Sequence, residues 1–272
     1  DRLLLSGQAV NSHRVHVLEN GASLRPPHGQ PVYYSDILSN FFRDDGRDRI
    51  VFKADAIEYR FPNGRIGLHE LHLAETSGKL IGIMGGSGSG KSTLLNVLNG
   101  NLRPCQGKVT INGVDVHTEA DHIRGVVGHV SQDDLLIEEL TVFQNLYFNA
   151  KLCFGDRDEV EIEQRVLGLL QTLGLFESKD LKVGSPLDKT ISGGQRKRLN
   201  IALELIREPS VLFVDEPTSG LSSRDSENIM DLLKELALKG RIIFTVIHQP
   251  SSDIFKLFDR LLLMDQEGHP VY

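Results

Sequence analysis

The sequence runs to 272 residues, enough to bury one large core or a core with a subdomain. Hydrophobic residues make up 40% and charged residues 25%, the ordinary balance of a soluble globular domain. A net charge of −7 argues against broad nucleic-acid binding, the isolated Cys105 and Cys153 read as reduced thiols of a cytosolic protein, and no apolar run approaches the roughly 18–20 residues that span a bilayer.

Residues 1–49 carry the least information. Val15, Val17 and Leu18, followed by Glu19–Asn20–Gly21, predict a strand and a tight turn. Pro26–Pro27 and Gly29 mark a loop, Ile37, Leu38, Phe41 and Phe42 have helical spacing, and Asp44 to Asp48 reads as a linker. A regulatory appendage, an extension packed on the main domain and the tail of an upstream module are all open readings. The start at Asp1, with no signal-peptide pattern, is read as a fragment of a longer polypeptide.

From residue 50 the pattern changes. Phe52, Ala54, Ala56, Ile57 and Tyr59 predict a strand, Phe61–Pro62–Asn63–Gly64 a turn, and Leu68, Leu71 and Leu73 a further β-rich stretch. Leu80 to Met84 predicts a short buried strand. Leu94, Leu95, Val97 and Leu98 line a helix that stops near Gly100. Lys108 to Ile111 with Asn112–Gly113 reads as a hairpin, and Val126 to Val130 as a strand ending at Ser131–Gln132. Residues 141–175 turn helical: Val142, Leu146 and Phe148 mark one helix, and Ile162, Val166, Leu169, Leu170 and Leu173 a second that Gly174 ends. After a polar loop over 176–190, Ser192 opens a helix carrying Leu199, Ile201, Ala202, Leu205 and Ile206.

The last third alternates. Val211 to Val214 is a buried strand ending on Asp215–Glu216. Ile229, Leu232, Leu233 and Leu236 line a helix ending by Lys239–Gly240. Ile242 to Ile247 is a strand ending on His248, Ser251 to Phe258 a helix, and Leu261 to Met264 a final strand. Apolar strands alternating with amphipathic helices imply an α/β fold with a parallel sheet covered on both faces.

The chemistry sits between Met84 and Leu94. Gly85, Gly86, Ser87, Gly88, Ser89, Gly90, Lys91, Ser92 and Thr93 fit G-x-x-x-x-G-K-[ST], a phosphate-binding loop placed between a strand and a helix. Glycines let backbone N–H groups curl round phosphate oxygens, the helix N-terminus adds donors and positive potential, Lys91 reaches the β- and γ-phosphates, and Ser92 can ligate Mg²⁺. Parallel strands gather their C-terminal ends on one edge, so the loop, Gln132, Asp215, Glu216 and His248 can meet there. Asp215 fits the Mg²⁺-supporting carboxylate of a P-loop nucleotidase, and Glu216 beside it can polarise the attacking water. Taken alone, an Asp–Glu pair is a solvated strand end, His248 a packed or capping histidine, and Gln132 uninformative. Ser192–Gly193–Gly194–Gln195 resembles a second anion-binding turn at a helix start, or else a simple serine cap. A second phosphate turn is redundant on one chain unless it meets the nucleotide of another copy.

Together these residues resemble the nucleotide-binding domain of ATP-binding cassette transporters over about residues 50–272. Ile191 to Arg198 resembles the family signature LSGGQ, and Walker A, glutamine loop, signature, Walker B and switch histidine follow in family order. The resemblance implies a P-loop NTPase core with a parallel sheet, an antiparallel β subdomain and a helical signature subdomain at about 141–206. It implies that the loop glycines, Lys91 and Ser92 bind the phosphates of ATP, and that Ser92, Gln132 and Asp215 serve Mg²⁺. Glu216 would be the base, His248 the γ-phosphate switch, and Ser192, Gly193, Gly194 and Gln195 would meet the nucleotide of a second copy. Phe61 would stack on adenine, with Tyr59 as its competitor and a plain core aromatic as the other reading of either.

Within the family the likeness is to the G, or white-type, subfamily, on Glu139 to Leu146, Ile191 to Asn200 and Ile247 to Ser252. That likeness implies an ATPase domain at the cytoplasmic face of the cell membrane. Its partners would be a second nucleotide-binding domain arranged head to tail and a transmembrane domain following Tyr272, with transport, expected as export, as the outcome. Two departures stand out: Ser222 replaces the usual aspartate, with Asp225 displaced, and Ile191 replaces leucine. A soluble cassette ATPase acting on nucleic acid or ribosomes is the rival, disfavoured by the charge, by the single cassette and by the spacing of only about a hundred residues between Lys91 and Ser192. A nucleotide-sensing regulator with little turnover is a third reading.

Overall fold

A computed structural model describes residues 3–5, 8–10, 23–27, 32–33, 50–123, 125–154, 158–185 and 190–271. The predicted strand at 15–18, the helix at 37–42 and the linker at 44–48 lie outside the described residues. Within the first fifty residues, β1 (Leu4–Leu5), β2 (Gln8–Ala9), β3 (Ser23–Arg25) and β4 (Val32–Tyr33) form a small antiparallel sheet in the order β2-β1-β3-β4.

A second antiparallel sheet holds β5 (Val51–Arg60), β6 (Ile66–Thr76), β8 (Gln106–Ile111) and β9 (Val114–Asp115). Its order is β6-β5-β8-β9. The awkward spacing of Ala54, Ala56 and Ile57 has a physical cause. The β5–β6 register shifts between Ala54 and Ile57, and Ala56 sits at φ 48°, so a bulge re-aims the strand midway. Asn112 and Gly113 take φ 50° and 87°, the two positive values that a tight hairpin turn needs.

The central sheet comprises β7 (Lys79–Gly85), β10 (Val127–Val130), β11 (Val211–Asp215), β12 (Ile242–Val246), β13 (Arg260–Met264) and β14 (Pro270–Val271), ordered β10-β11-β12-β7-β13-β14. Only β14 runs antiparallel to its neighbour. Val211 to Val214 and all of β12 are buried, as strands covered on both faces must be. The helices are α1 (Lys91–Leu98), α2 (Val142–Cys153), α3 (Glu159–Thr172), α4 (Gly193–Leu205), α5 (Ser223–Leu238) and α6 (Ser252–Phe255).

Two cores flank the central sheet. One lies between the central and antiparallel sheets with α1, centred on Phe52, Phe213 and Phe244, whose rings approach to between 5.0 and 6.0 Å. The other joins the sheet to α2, α3, α4 and α5. On α2 the buried stripe is Val142, Leu146 and Ala150, one residue every four, so Phe148 points outward and is 47% exposed, against its predicted place on the apolar face. The helix expected over Ser251 to Phe258 lasts one turn. Asp259 then accepts from the Leu80 amide at 2.7 Å and from Lys234 at 2.7 Å, fixing the approach to β13.

Candidate functional site

Register decides where the site falls. Val130 pairs with Val214, Asp215 with Val246 and Val246 with Ile83, so β10, β11, β12 and β7 end almost level. The residues just beyond them, Gln132, Glu216, His248 and the loop from Gly85, therefore share one edge of the sheet.

The glycine loop is a built cradle. Gly90 caps α1 at φ 87°, and a Cβ there would stand 2.8 Å from the Gly67 carbonyl oxygen, so only glycine turns this corner. No side chain among the described residues caps α1, and the first N–H groups of a helix have no partner within the helix itself. Lys91 is 5% exposed and donates to the carbonyl oxygens of Gly85 at 3.1 Å and Gly86 at 2.8 Å, which lays its chain along the loop. Burial holds the Lys91 ammonium below the usual lysine range, while Glu216 and Asp215 pull the other way.

Asp215 closes β11 with an anomaly: its Oδ1 is buried and has no hydrogen-bond partner among the described residues. Burial, then the neighbouring Glu216 charge, pushes the carboxyl above the usual range, against His129, the Ser92 hydroxyl and Lys197. Glu216 sits at φ 45°, outside the comfortable region for a side chain of its size. That turn brings its Oε1 to 2.8 Å from His248 Nε2. Gln249, next to His248, is also left-handed at φ 43°. Two of the strained positions thus border this one edge.

A hollow of about 530 Å³ is lined by Phe61, Gly67, the run Gly88 to Thr93 and Gln266 to Gly268. Between the two competing aromatics, Phe61 reaches the hollow. Tyr59 packs partly into the core, its ring edge-on to Phe61 at 5.2 Å. Gln266, Glu267 and Gly268, on the turn joining β13 to β14, are absent from the sequence reading, because a two-residue final strand leaves no period to detect. The signal that could have found them is Gly268 at φ 85° after Asp265, whose carboxylate accepts from the amides of Glu267 at 2.9 Å and His269 at 2.8 Å. A larger hollow of about 860 Å³ lies against Lys53, His72 and Lys108 of the antiparallel sheet. It has no glycine loop and no helix start.

Ser192, Gly193, Gly194 and Gln195 do not line the 530 Å³ hollow. They form a complete capping box: the Gln195 amide donates to Ser192 Oγ at 3.1 Å, and the Ser192 amide donates to Gln195 Oε1 at 2.8 Å. Gln195 Nε2 also donates to Ser178 Oγ at 2.7 Å, so this side chain is committed within its own chain. A Cβ on Gly194 would meet Asp225 Oδ1 at 2.7 Å. Asp225 is held there by Ser222, which caps α5: the Ser222 hydroxyl donates to Asp225 Oδ2 at 2.8 Å and accepts from the Asp225 amide at 3.2 Å. Ser222 thus positions Asp225 against Gly194. Gln132 is exposed, and its carbonyl accepts from Lys197 Nζ at 2.8 Å.

A family profile described as ABC transporter matches residues 68–219. The ABC-type transporter claG of Penicillium crustosum is 39% identical over 244 residues, 86% of this chain and 32% of that protein. ABC transporter G family member 24 of Dictyostelium discoideum is 44% identical over 202 residues, 72% of this chain and 17% of its own length. The chain thus spans a third or less of the length of these relatives. Among solved structures, cbiO1 of Clostridium perfringens, part of the ABC transporter complex cbiONQ, superposes with a TM-score of 0.72 at 30% identity, over 83% of this chain and 88% of that one. An ATP-binding cassette of an ABC transporter in its ADP conformation gives 0.71 at 25% identity, over 82% and 89%. Family profile, relatives and fold agree: the chain belongs to the ABC transporter family, as an ATP-binding ATPase domain of the G-subfamily kind.

Proposed function

We propose that this chain powers membrane transport, expected as export, by closing head to tail on a second copy around two ATP molecules. Each site would take its glycine loop from one copy and its Ser192 turn from the other. The observation that carries this reading is the position of the Ser192 turn: its amides head a capped helix, yet it stands apart from the hollow that the glycine loop lines. Such a turn suits the γ-phosphate of a neighbour's nucleotide.

The residues then divide the work. The cradle from Gly85 to Thr93 would hold the phosphates through backbone N–H groups, with Lys91 countering their charge and Phe61 against the base. The orphaned Asp215 Oδ1 and the Ser92 hydroxyl beside it fit a hard cation, as does Gln132 at the strand end. Mg²⁺ held there supplies neutralisation of the charge that develops on the phosphate oxygens. Glu216 would accept the proton of the attacking water, with His248 at 2.8 Å holding its carboxylate and sensing the γ-phosphate. Domain division at residue 50, a helical unit at about 141–206 and a location at the cytoplasmic membrane face belong to the same proposal. No helix among the described residues is long and apolar enough to cross a membrane.

The test is the rate of phosphate release as the chain is diluted. Turnover per chain that falls with dilution supports two-copy sites. Turnover per chain independent of concentration in a proven monomer contradicts them.

A further inference from the structure

The stretch from Gln132 to Ile137 leaves the parallel sheet at the end of β10 but is fastened to helices. Three side chains near the start of α4 reach it. Arg196 forks onto Asp134, with Nε to Oδ2 at 3.0 Å and Nη2 to Oδ1 at 3.2 Å. Lys197 Nζ donates to the Gln132 carbonyl at 2.8 Å, and the Leu135 amide donates to Asn200 Oδ1 at 3.4 Å. Arg196, Lys197 and Asn200 are 7%, 8% and 4% exposed, so these are built contacts rather than surface pairings. Further along, Asn145 of α2 closes on Ile137 in both directions, accepting from its amide at 2.8 Å and donating to its carbonyl at 3.0 Å.

Lys197 differs from the other two. Burial lowers its ammonium from the usual lysine range, while Asp134, Asp215, Asp133 and Glu216 act against that shift. One buried cation therefore lies in the field of both strand-end carboxylates, hydrogen-bonds the backbone of Gln132, and rides on the helix that Ser192 caps.

The geometry points to Lys197 as a positioning residue that ties the Ser192 turn, which serves one ATP, to Gln132, which serves the other. The inference rests on the two-copy reading and deepens it. When the Ser192 turn is drawn onto a neighbour's nucleotide, α4 carries Lys197 with it, and Lys197 moves the Gln132 backbone against the chain's own nucleotide. Coupling between the two sites then runs within each chain along a single turn of helix. Arg196 fixes the loop to the same helix at Asp134, so loop and helix shift as one body.

The test uses the intact protein. Phosphate release is measured against MgATP concentration for wild type, Lys197→Met and Lys197→Arg, with nucleotide binding and melting temperature on the same preparations. Lys197→Met is expected to lower kcat about tenfold with KM and binding within about twofold, and to bring the Hill coefficient down towards 1. Lys197→Arg, which keeps a cationic donor, restores most of both. A Lys197→Met protein with wild-type kcat and a cooperative Hill coefficient overturns the inference. So does a loss that merely tracks the melting temperature and is not rescued by arginine. If wild type itself is non-cooperative and insensitive to Ser192→Arg, the two-copy reading falls and takes the inference with it. Should Lys197→Met not fold, Lys197→Gln, polar but uncharged and too short to keep the contact with the Gln132 carbonyl, must show the same fall in the Hill coefficient, and a normal value there overturns the inference equally.

Discussion

The sheet edge and the Ser192 turn, the two features proposed to meet phosphate, are built on opposite principles. The sheet edge is unbalanced. Asp215 keeps a buried oxygen without a partner among the described residues, its charge is crowded by Glu216, Lys91 is desolvated, and Glu216 and Gln249 hold left-handed backbones. The Ser192 turn is settled: its capping box closes, Gln195 is bonded on both ends, and Asp225 packs against Gly194. A settled turn suits a group that presents backbone donors to a visitor without changing itself. An unbalanced edge suits the place where charge is to be neutralised and moved. In the proposed two-copy site, strain and crowded charge mark the half that would do the chemistry, and saturation marks the half that would complete it.

The largest expected effect lies at the edge. Glu216→Gln removes the proposed base while leaving the cradle, so hydrolysis is expected to fall by about a thousandfold with ATP binding kept. Purified protein that turns over at the normal rate would remove Glu216 from the chemistry. Ser192→Arg strikes the settled turn. Hydrolysis is expected to drop by about a hundredfold while the monomer binds ATP as before. Loss of binding by the monomer would place Ser192 in its own chain's site instead. Phe61→Ala separates base recognition from phosphate binding, with KM for ATP rising about tenfold and kcat little changed.

The smallest effect sharpens the comparison through stability. Asp215 has a carboxyl pKa above that of the unfolded chain, so its ionised form is a burden on the fold. That burden is absent at low pH and present once pH rises through the folded-state value. Asp215→Asn should therefore stabilise the nucleotide-free protein at neutral pH, on the order of 1 kcal/mol after discounting its partial exposure, and the gain should vanish near pH 4. Thermal melts of both proteins across that range check the sign.

Much of the edge was legible because strand, turn and helix agree locally at Gly85 to Thr93, and because the buried runs before Asp215 and His248 announce their own ends. What resisted was decided by partners distant in sequence. Phe61 and Tyr59 read alike until the packing of β5 turned one into the core and left the other on the hollow. Gln266 to Gly268 belong to the hollow only because β13 and β14 fold back beside Gly67, a contact with no periodic signal. Ser222 looked like a loss of an aspartate, although the spacing Ser222-x-x-Asp225 is that of a helix cap and already contained the answer. The role of Gln195 within its own chain required Ser178, seventeen residues earlier, which no local pattern connects to it.

The most direct measurement co-expresses Ser192→Arg and Glu216→Gln chains under two different tags and assays the doubly purified pair. If each site joins the sheet edge of one chain to the Ser192 turn of the other, one of the two sites in the mixed pair is intact. Hydrolysis then recovers to about half the wild-type rate per pair, although each variant alone keeps about a hundredth of it or less. A mixed pair as inactive as its parents, with both chains folded and ATP bound, contradicts a site shared between copies.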